Sequence, residues 1–518
     1  MHCHFFRGIF YALSILMVFT SCQTTEPVTP PNIIYILADD LGYAELGAYG
    51  QEQIETPNLD QLAREGMLFT QHYSSAPVCA PARYMLLTGK HSGHAFIRGN
   101  HEWGSRGDVW SYRAMVEDRT LEGQHPMPDS TVTLAHRLQQ AGYTTGMVGK
   151  WGLGAPHTES IPTKMGFDFF YGYNCQRIAH TLTPVHLYHN EERVILANDT
   201  IAPGTKLPEG ADPDDPASYA AYTQPDYAPE RMFEALTGFV EEQADDPFFL
   251  YWATPIPHVP IQAPERWVRY YQDKFGPEDP YLGQKGYFPH RTPRAGYAAM
   301  ISYLDENIGK LIGQLKAKGI YENTLIFFTS DNGPSYAGGA DSEWFDSAAP
   351  FSSSQGRCKG AVYEGGIRVP LIASWPGHIE AGSRSNLPSV HYDMLATLGE
   401  LTGYAVPEET DGVSFLPTLL GEGEQEQHDF LYWEFPEYGG QVAIRQGDWK
   451  LVRQQLRNPG RSTIELYDMA VDSLEQHNVA DQYPEQLEVF RQLFEGEHEK
   501  AELERFVIPV LEEGLLVQ

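Results

Sequence analysis

Four apolar runs in this chain end the same way, and that repetition constrains the fold more than any other feature. "NIIYILADD" closes on Asp39 and Asp40, "TTGMVGKWG" carries Lys150 at its end, "PFFLYWATPIPH" ends on His258, and "TLIFFTSDNG" ends on Asp331 and Asn332. Short apolar runs bounded by turn residues read as buried strands. Helical stretches such as "LAHRLQQAG" and "AMISYLDENIGKLIGQLKAKG" lie between them, the pattern of a mostly parallel sheet covered on both faces. Ligands in open α/β sheets bind beyond the carboxyl ends of the strands. All four polar sets are therefore expected at one edge of one sheet.

Asp39, Asp40, Asp331 and the Asn332 amide offer only hard oxygen ligands, which suits Ca²⁺, or less well Mg²⁺, rather than zinc. Taken singly, each acidic set reads as a helix cap or a solvated turn; after two strands of one sheet they read as a cation site. Between the runs stands "SSAPVCAPARYMLLTGKHS". Pro81 fits the first turn of a helix that Gly89 ends. Cys79 then sits at a helix N-terminus, where free N–H groups and the dipole favour an anion. An exposed free thiol there would be a liability in an oxidising compartment, which counts against a plain cysteine.

The start of the chain points to such a compartment. Arg7 precedes the apolar run "IFYALSILMVF" and the small-residue exit "TSC", the make-up of an export signal too short to span a bilayer stably. Thr20 and Ser21 directly precede Cys22, and "QTTEPVTPPN" follows as a polar, proline-rich tether. Cys22 is thus a candidate for lipidation and a membrane anchor. Phe19 departs from the leucine usual three residues before such a cysteine, and plain signal cleavage is the other reading. The five cysteines build no disulfide framework, though Cys175 and Cys358 are free to bridge each other. A formal charge of −33 makes nucleic acid a poor partner, so an anionic substrate would need local positive charge from side chains or a metal. Late in the chain, "DFLYWEF", "QVAIRQGDWKLVRQQ" and "STIELYDM" alternate like antiparallel strands before a charged helical run, "PEQLEVFRQLFEGEHEKAELERF". The expected division is a signal over 1–22, a linker over 23–31, a catalytic domain over 32–424 and a C-terminal subdomain over 425–518.

The string C-A-P-A-R-Y-M-L-L-T-G matches the C-x-P-x-R-x-x-x-L-T-G signature of the type I sulfatases, members of the alkaline-phosphatase-like superfamily. The resemblance covers nearly the whole mature chain, with "TPNLDQLAREGMLFTQHY", "AGYTTGMVGKWGLG", "PHVPIQAP", "CKGAVYEGGIRVPLIASWPG" and "IRQGDWKLVR" in family order. It implies an α/β fold: a large, mostly parallel mixed sheet flanked by helices, with a smaller C-terminal α+β subdomain on an antiparallel sheet. It also implies that a formylglycine-generating or anaerobic sulfatase-maturing enzyme oxidises Cys79 to formylglycine. One hydroxyl of the aldehyde hydrate would attack sulfur, and the other would expel sulfate as the aldehyde reforms. In the same reading Asp39, Asp40, modified Cys79, Asp331 and Asn332 hold Ca²⁺. Arg83 steadies residue 79, Lys150 and Lys359 clamp sulfate oxygens, and His258 protonates the leaving oxygen. Without the family, the two lysines read equally as solvated charges and His258 as a loop histidine.

The chain departs from the family at one position. The commonest lysine motif is G-K-W-H-L-G, and here "GKWGLG" puts Gly152 in place of the histidine. His180 and His157 are the candidates to fill that space, with His180 favoured; His180 is equally a candidate to read a sugar hydroxyl. Similar bacterial sequences tend to be polysaccharide or mucin-glycan sulfatases. The aromatic loop "IRGNHEWGSRGDVWSYR" supplies stacking groups that suit a sugar ring, unless those aromatics are core. The expected substrate is a sulfated carbohydrate of galactose type, met by a periplasmic or outer-membrane bacterial lipoprotein. Two other functions stay open on the sequence: a phosphodiesterase or phosphonate monoester hydrolase of the same superfamily, and a non-catalytic glycan-binding lipoprotein with Cys79 unmodified.

Overall fold

The structure is a computed structural model that describes residues 1–2, 30–514 and 516. Cys22 and nearly all of the expected signal and linker lie outside the described residues. Among the described residues, no helix is long and apolar enough to cross a membrane.

The four runs form the strands Asn32–Ala38, Thr144–Lys150, Phe248–Ala253 and Thr324–Ser330, buried almost throughout. They lie side by side and parallel at the centre of a ten-stranded sheet. Phe169–Tyr173 extends the sheet in parallel, and the hairpin of His186–His189 and Glu192–Ile195 closes that edge. On the other side the antiparallel strands Leu371–Ser374 and Met67–Phe69 make the sheet mixed.

Side chains of Asn32–Ala38 alternate between two cores, as a pleated strand requires. Ile34 and Ile36 pack among Leu59, Met232, Ile301 and Ile308, whereas Ile33, Tyr35 and Leu37 pack among Met85, Leu138, Met394 and Leu398. Because helices cover both faces, the run has no polar residue to alternate with. Register then sets the site. Ala38 lies opposite Ser330, and Leu37 lies opposite Ala253, which in turn faces Gly149. Asp39, Asp331 and Lys150 therefore leave the sheet at one level.

The strands Leu431–Phe435, Gln441–Gln446, Trp449–Gln454 and Thr463–Asp468 form a separate antiparallel sheet. Trp433, Ala443 and Val452 lie against Tyr73, Val78 and Val362 of the main body, and Tyr432, Ile444 and Leu451 are covered by Phe490 and Phe494. The helix carrying those two phenylalanines, Pro484–Glu497, is shorter than the charged run suggested. His498 takes an extended conformation, and its Nδ1 lies 2.8 Å from Glu434 Oε2, which draws the chain back onto the sheet. The Cys175–Cys358 bridge does not form: both cysteines are buried and free. Cys358 Sγ instead donates to Ser354 O at 3.2 Å.

Candidate active site

The carboxyl edge of the sheet gathers three carboxylates and three cations. Asp40 turns the chain with φ +67°, and its N–H donates to Asp331 Oδ1 at 3.1 Å, tying two strand ends together. Arg83, one turn into the helix Cys79–Thr88, donates from Nε and Nη2 to Asp331 Oδ2 at 3.1 and 2.9 Å. Its Nη2 also lies 3.4 Å from Asp39 Oδ2, and its Nη1 donates to Lys150 O. Lys150 Nζ donates to Asp39 Oδ2 at 2.6 Å, and Lys359 Nζ reaches both Asp40 oxygens at 2.5 and 2.7 Å. Cys79 opens its helix with Sγ 3.3 Å from Asp39 Oδ1 and 3.6 Å from Lys359 Nζ, and it is 2% exposed. Gly89 ends that helix in the left-handed conformation, as its place in the sequence suggested.

Burial and mutual repulsion set the electrostatics. Burial would raise Asp39, but Lys150, His258, Arg83 and Lys359 together hold it well below the usual carboxylate range. Asp40 lies above that range through burial and the neighbouring Asp39, against the pull of Lys359. Asp331 is pushed up to about 6 by burial and by Asp39. Two of the three carboxylates thus need more positive charge than the side chains supply. Asp39, Asp40, Cys79 and His258 bring their ligand atoms within 4.8 Å of one another. Asn332 donates from Nδ2 to Asp40 Oδ1 at 2.8 Å, which leaves its buried Oδ1 with no donor. A buried amide oxygen without a partner, beside carboxylates that resist ionisation, fits a hard divalent cation.

His258 and His180 meet at the rim. Their rings stack at 5.5 Å with 10° between planes, and Tyr287 sets its ring edgewise to both. His258 Nδ1 lies 2.5 Å from Val259 O and Nε2 lies 3.7 Å from Asp40 Oδ2. Burial lowers both histidines well below their usual range, with Lys359 adding to it at His258 and His258 itself at His180. His157 is not part of this group; it is exposed on a turn with φ +65°.

His180 does not fill the space at Gly152, because Gln176 does. A Cβ at Gly152 would stand 2.5 Å from Gln176 Cγ, and the backbone there, φ +71°, favours glycine in any case. Nothing in the sequence singled out Gln176, because its place depends on strand pairing. Lys150 pairs with Tyr173, which brings 174–176 beside Gly152. Tyr287 lies in a loop, "GQKGYFPH", with no motif to single it out.

Comparison with known proteins decides the family. The sulfatase family model matches residues 31–404. The chain belongs to the sulfatase family. A second model, the C-terminal part of N-sulphoglucosamine sulphohydrolase, matches residues 358–502 of this sulfatase. The sulfatase is similar to arylsulfatase A of Bos taurus, at 34% identity over 82% of this chain and 74% of that protein. It is also similar to N-acetylgalactosamine-6-sulfatase of Homo sapiens, at 33% identity over 78% and 68%. The crystal structure of Ps i-CgsB in complex with k-i-k-neocarrahexaose matches with a TM-score of 0.71 at 25% identity, over 94% of this chain and 96% of that one. The sulfatase is therefore an enzyme, a sulfuric ester hydrolase on an alkaline-phosphatase-like fold.

Proposed function

We propose that this sulfatase is exported and removes sulfate from a sulfated glycan of galactose type, with Cys79 converted to formylglycine as its nucleophile and Ca²⁺ as its cation. The observation that carries the reading is the setting of Cys79. It stands at a helix N-terminus between Asp39 and Lys359, yet burial and Asp39 hold its thiol far above the usual range. A buried thiol packed against a carboxylate is badly placed to attack, and it opens the C-x-P-x-R signature in which the cysteine is the precursor of formylglycine.

Hydrated formylglycine supplies two hydroxyls on one carbon, one to take up sulfur and one to let sulfate go. Asp39, Asp40, Asp331 and Asn332 would hold Ca²⁺, which would supply positive charge to the sulfate oxygens. Lys150 and Lys359 stay charged, because Asp39 and Asp40 outweigh the effect of burial, and they bind sulfate beside residue 79. Arg83 holds Asp331 and the Lys150 main chain in place. With Nδ1 committed to Val259 O, His258 exchanges protons only at Nε2. At Nε2 it would take up the proton that the attacking hydroxyl releases and pass that same proton to the leaving oxygen.

The glycan part of the reading is supported by the relative named for N-acetylgalactosamine 6-sulfate and by the neocarrahexaose in the structural neighbour. Export, and lipidation at Cys22, rest on the sequence alone. Sulfate release from sulfated galactosides tests the whole. Cys79→Ala should lower it by about 10³-fold or more while the unfolding temperature stays within a few degrees. Mass spectrometry of the active protein should find residue 79 lighter than cysteine; an active enzyme with an intact thiol there would overturn the proposal.

A further inference from the structure

Gly152 stands two residues beyond Lys150, and the side chains around it carry hydrogen-bonding capacity they do not use. Gln176 Nε2, 2.9 Å from where a Cβ of residue 152 would stand, is buried with no acceptor. Asn174, whose main-chain O accepts from Gly152 N–H at 3.1 Å, has a buried Oδ1 with no donor. These side chains belong to residues only 6% and 2% exposed. An unpaired buried polar atom is costly, so a donor and an acceptor left open beside one glycine call for a ligand that answers both. A hydroxyl does so, accepting from Gln176 and donating to Asn174. A sulfate oxygen would satisfy Gln176 and repel the Asn174 carbonyl.

A separate feature points to what carries the hydroxyl. Arg177, the next residue, donates from Nη2 to Trp110 O at 2.8 Å and lays its guanidinium over the Trp110 ring, 4.8 Å from the centroid. Trp110 is nevertheless 61% exposed. An indole pinned by an arginine and open to solvent is a platform for a sugar ring. At the other end of the same short segment, His180 stacks on His258. Residues 174–180 therefore lead from an exposed aromatic platform to the reacting centre.

We propose that Asn174 and Gln176 form a subsite that reads a hydroxyl of the sulfated sugar, with Trp110 as its outer wall. The proposal rests on the glycan reading above. Gln176 and Asn174 are positioning and specificity residues rather than groups that exchange protons or attack sulfur.

The test compares wild type, Gln176→Leu and the isosteric Gln176→Glu on three probes: para-nitrophenyl sulfate, monosulfated galactosides, and deoxy analogues of the best galactoside, each lacking one free hydroxyl. A site built to bond a hydroxyl rejects the analogue that lacks it, so wild type should lose about 100-fold or more in kcat/KM on one analogue. Both variants should lose a similar factor on the parent sugar and little further on that analogue, and keep para-nitrophenyl sulfate turnover within about threefold of wild type. Equal losses on the aryl and sugar substrates would overturn the proposal, because Gln176 would then serve the chemistry or the fold. Failure of wild type to discriminate any analogue would also overturn it. Wild type that cleaves para-nitrophenyl sulfate but no sulfated sugar would instead bring down the glycan reading, and this proposal with it.

Discussion

Two buried ion networks in this sulfatase are made of the same materials and do opposite things. One gathers Asp39, Asp40 and Asp331 with Arg83, Lys150 and Lys359 at the carboxyl edge of the large sheet. The other pins the small sheet to the main body: Lys450 Nζ lies 2.8 Å from Glu364 Oε1 and 2.7 Å from Glu475 Oε1. Glu364 Oε2 accepts from Tyr73 OH at 2.8 Å and from Arg368 Nη1 at 3.0 Å. Burial would raise Glu364, but Lys450, Arg368 and Arg445 hold it well below the usual range. Both Glu364 oxygens are enclosed by donors, so nothing is left for a ligand. At the other network Asp40 and Asp331 stay high and Asn332 Oδ1 has no donor. Buried charge alone does not mark a functional site; three carboxylates and an unpartnered amide oxygen converging at the strand ends do.

The same substitution in each network should separate the roles. Lys450→Met strands two buried carboxylates and should destabilise the fold by about 3–5 kcal/mol, read as a lower denaturation midpoint, while folded molecules keep their kcat/KM. Lys359→Met should lower sulfate release by about 10²–10³-fold with a smaller loss of stability than Lys450→Met, since Asp40 keeps its hydrogen bond from Asn332. Reversed outcomes would erase the comparison. Chelation comes next: stripping the cation should abolish activity and remove about 2.7 kcal/mol of the stability present at a hundredfold excess over Kd. Calcium should restore both, and restoration by zinc alone would contradict the oxygen ligand set.

The smallest effect sharpens the structural side. His94 Nδ1 lies 2.9 Å from Asp411, and its Nε2 lies 3.8 Å from Glu497 on the helix that covers the small sheet. The hydrogen bond to Asp411 raises the His94 pKa. That contribution is present in full below about pH 6.5, the free imidazole value, and is lost as pH rises through the raised one. Discounted for solvent screening it is about 0.5 kcal/mol, so His94→Gln should cost that much near pH 5.5 and nothing near pH 9. A loss independent of pH would mean that His94 contributes through packing and not through charge.

The central sheet was legible because runs such as Ile33–Ala38 have no polar residue to spare for solvent, and because each site residue directly follows a strand. Features set by pairing were not legible. Gln176 fills Gly152 only because Lys150 pairs with Tyr173, and Glu364 meets Lys450 from 86 residues away. The end of the last long helix depended on His498 finding Glu434, a contact between segments far apart in sequence.

The burial of Cys79 also has a consequence in time. Once Asn32–Ala38 and Thr324–Ser330 have paired, the sulfur lies beneath Asp39 and Lys359, and no second enzyme can close around it. Any catalyst that alters this atom has to act first, while the later strand is still being made. Roughly 250 residues separate the two, and at about 5–20 residues per second synthesis leaves a window of roughly ten to fifty seconds. On the formylglycine proposal, a slow-maturing host would accumulate folded, inert enzyme that no later treatment could switch on without unfolding it.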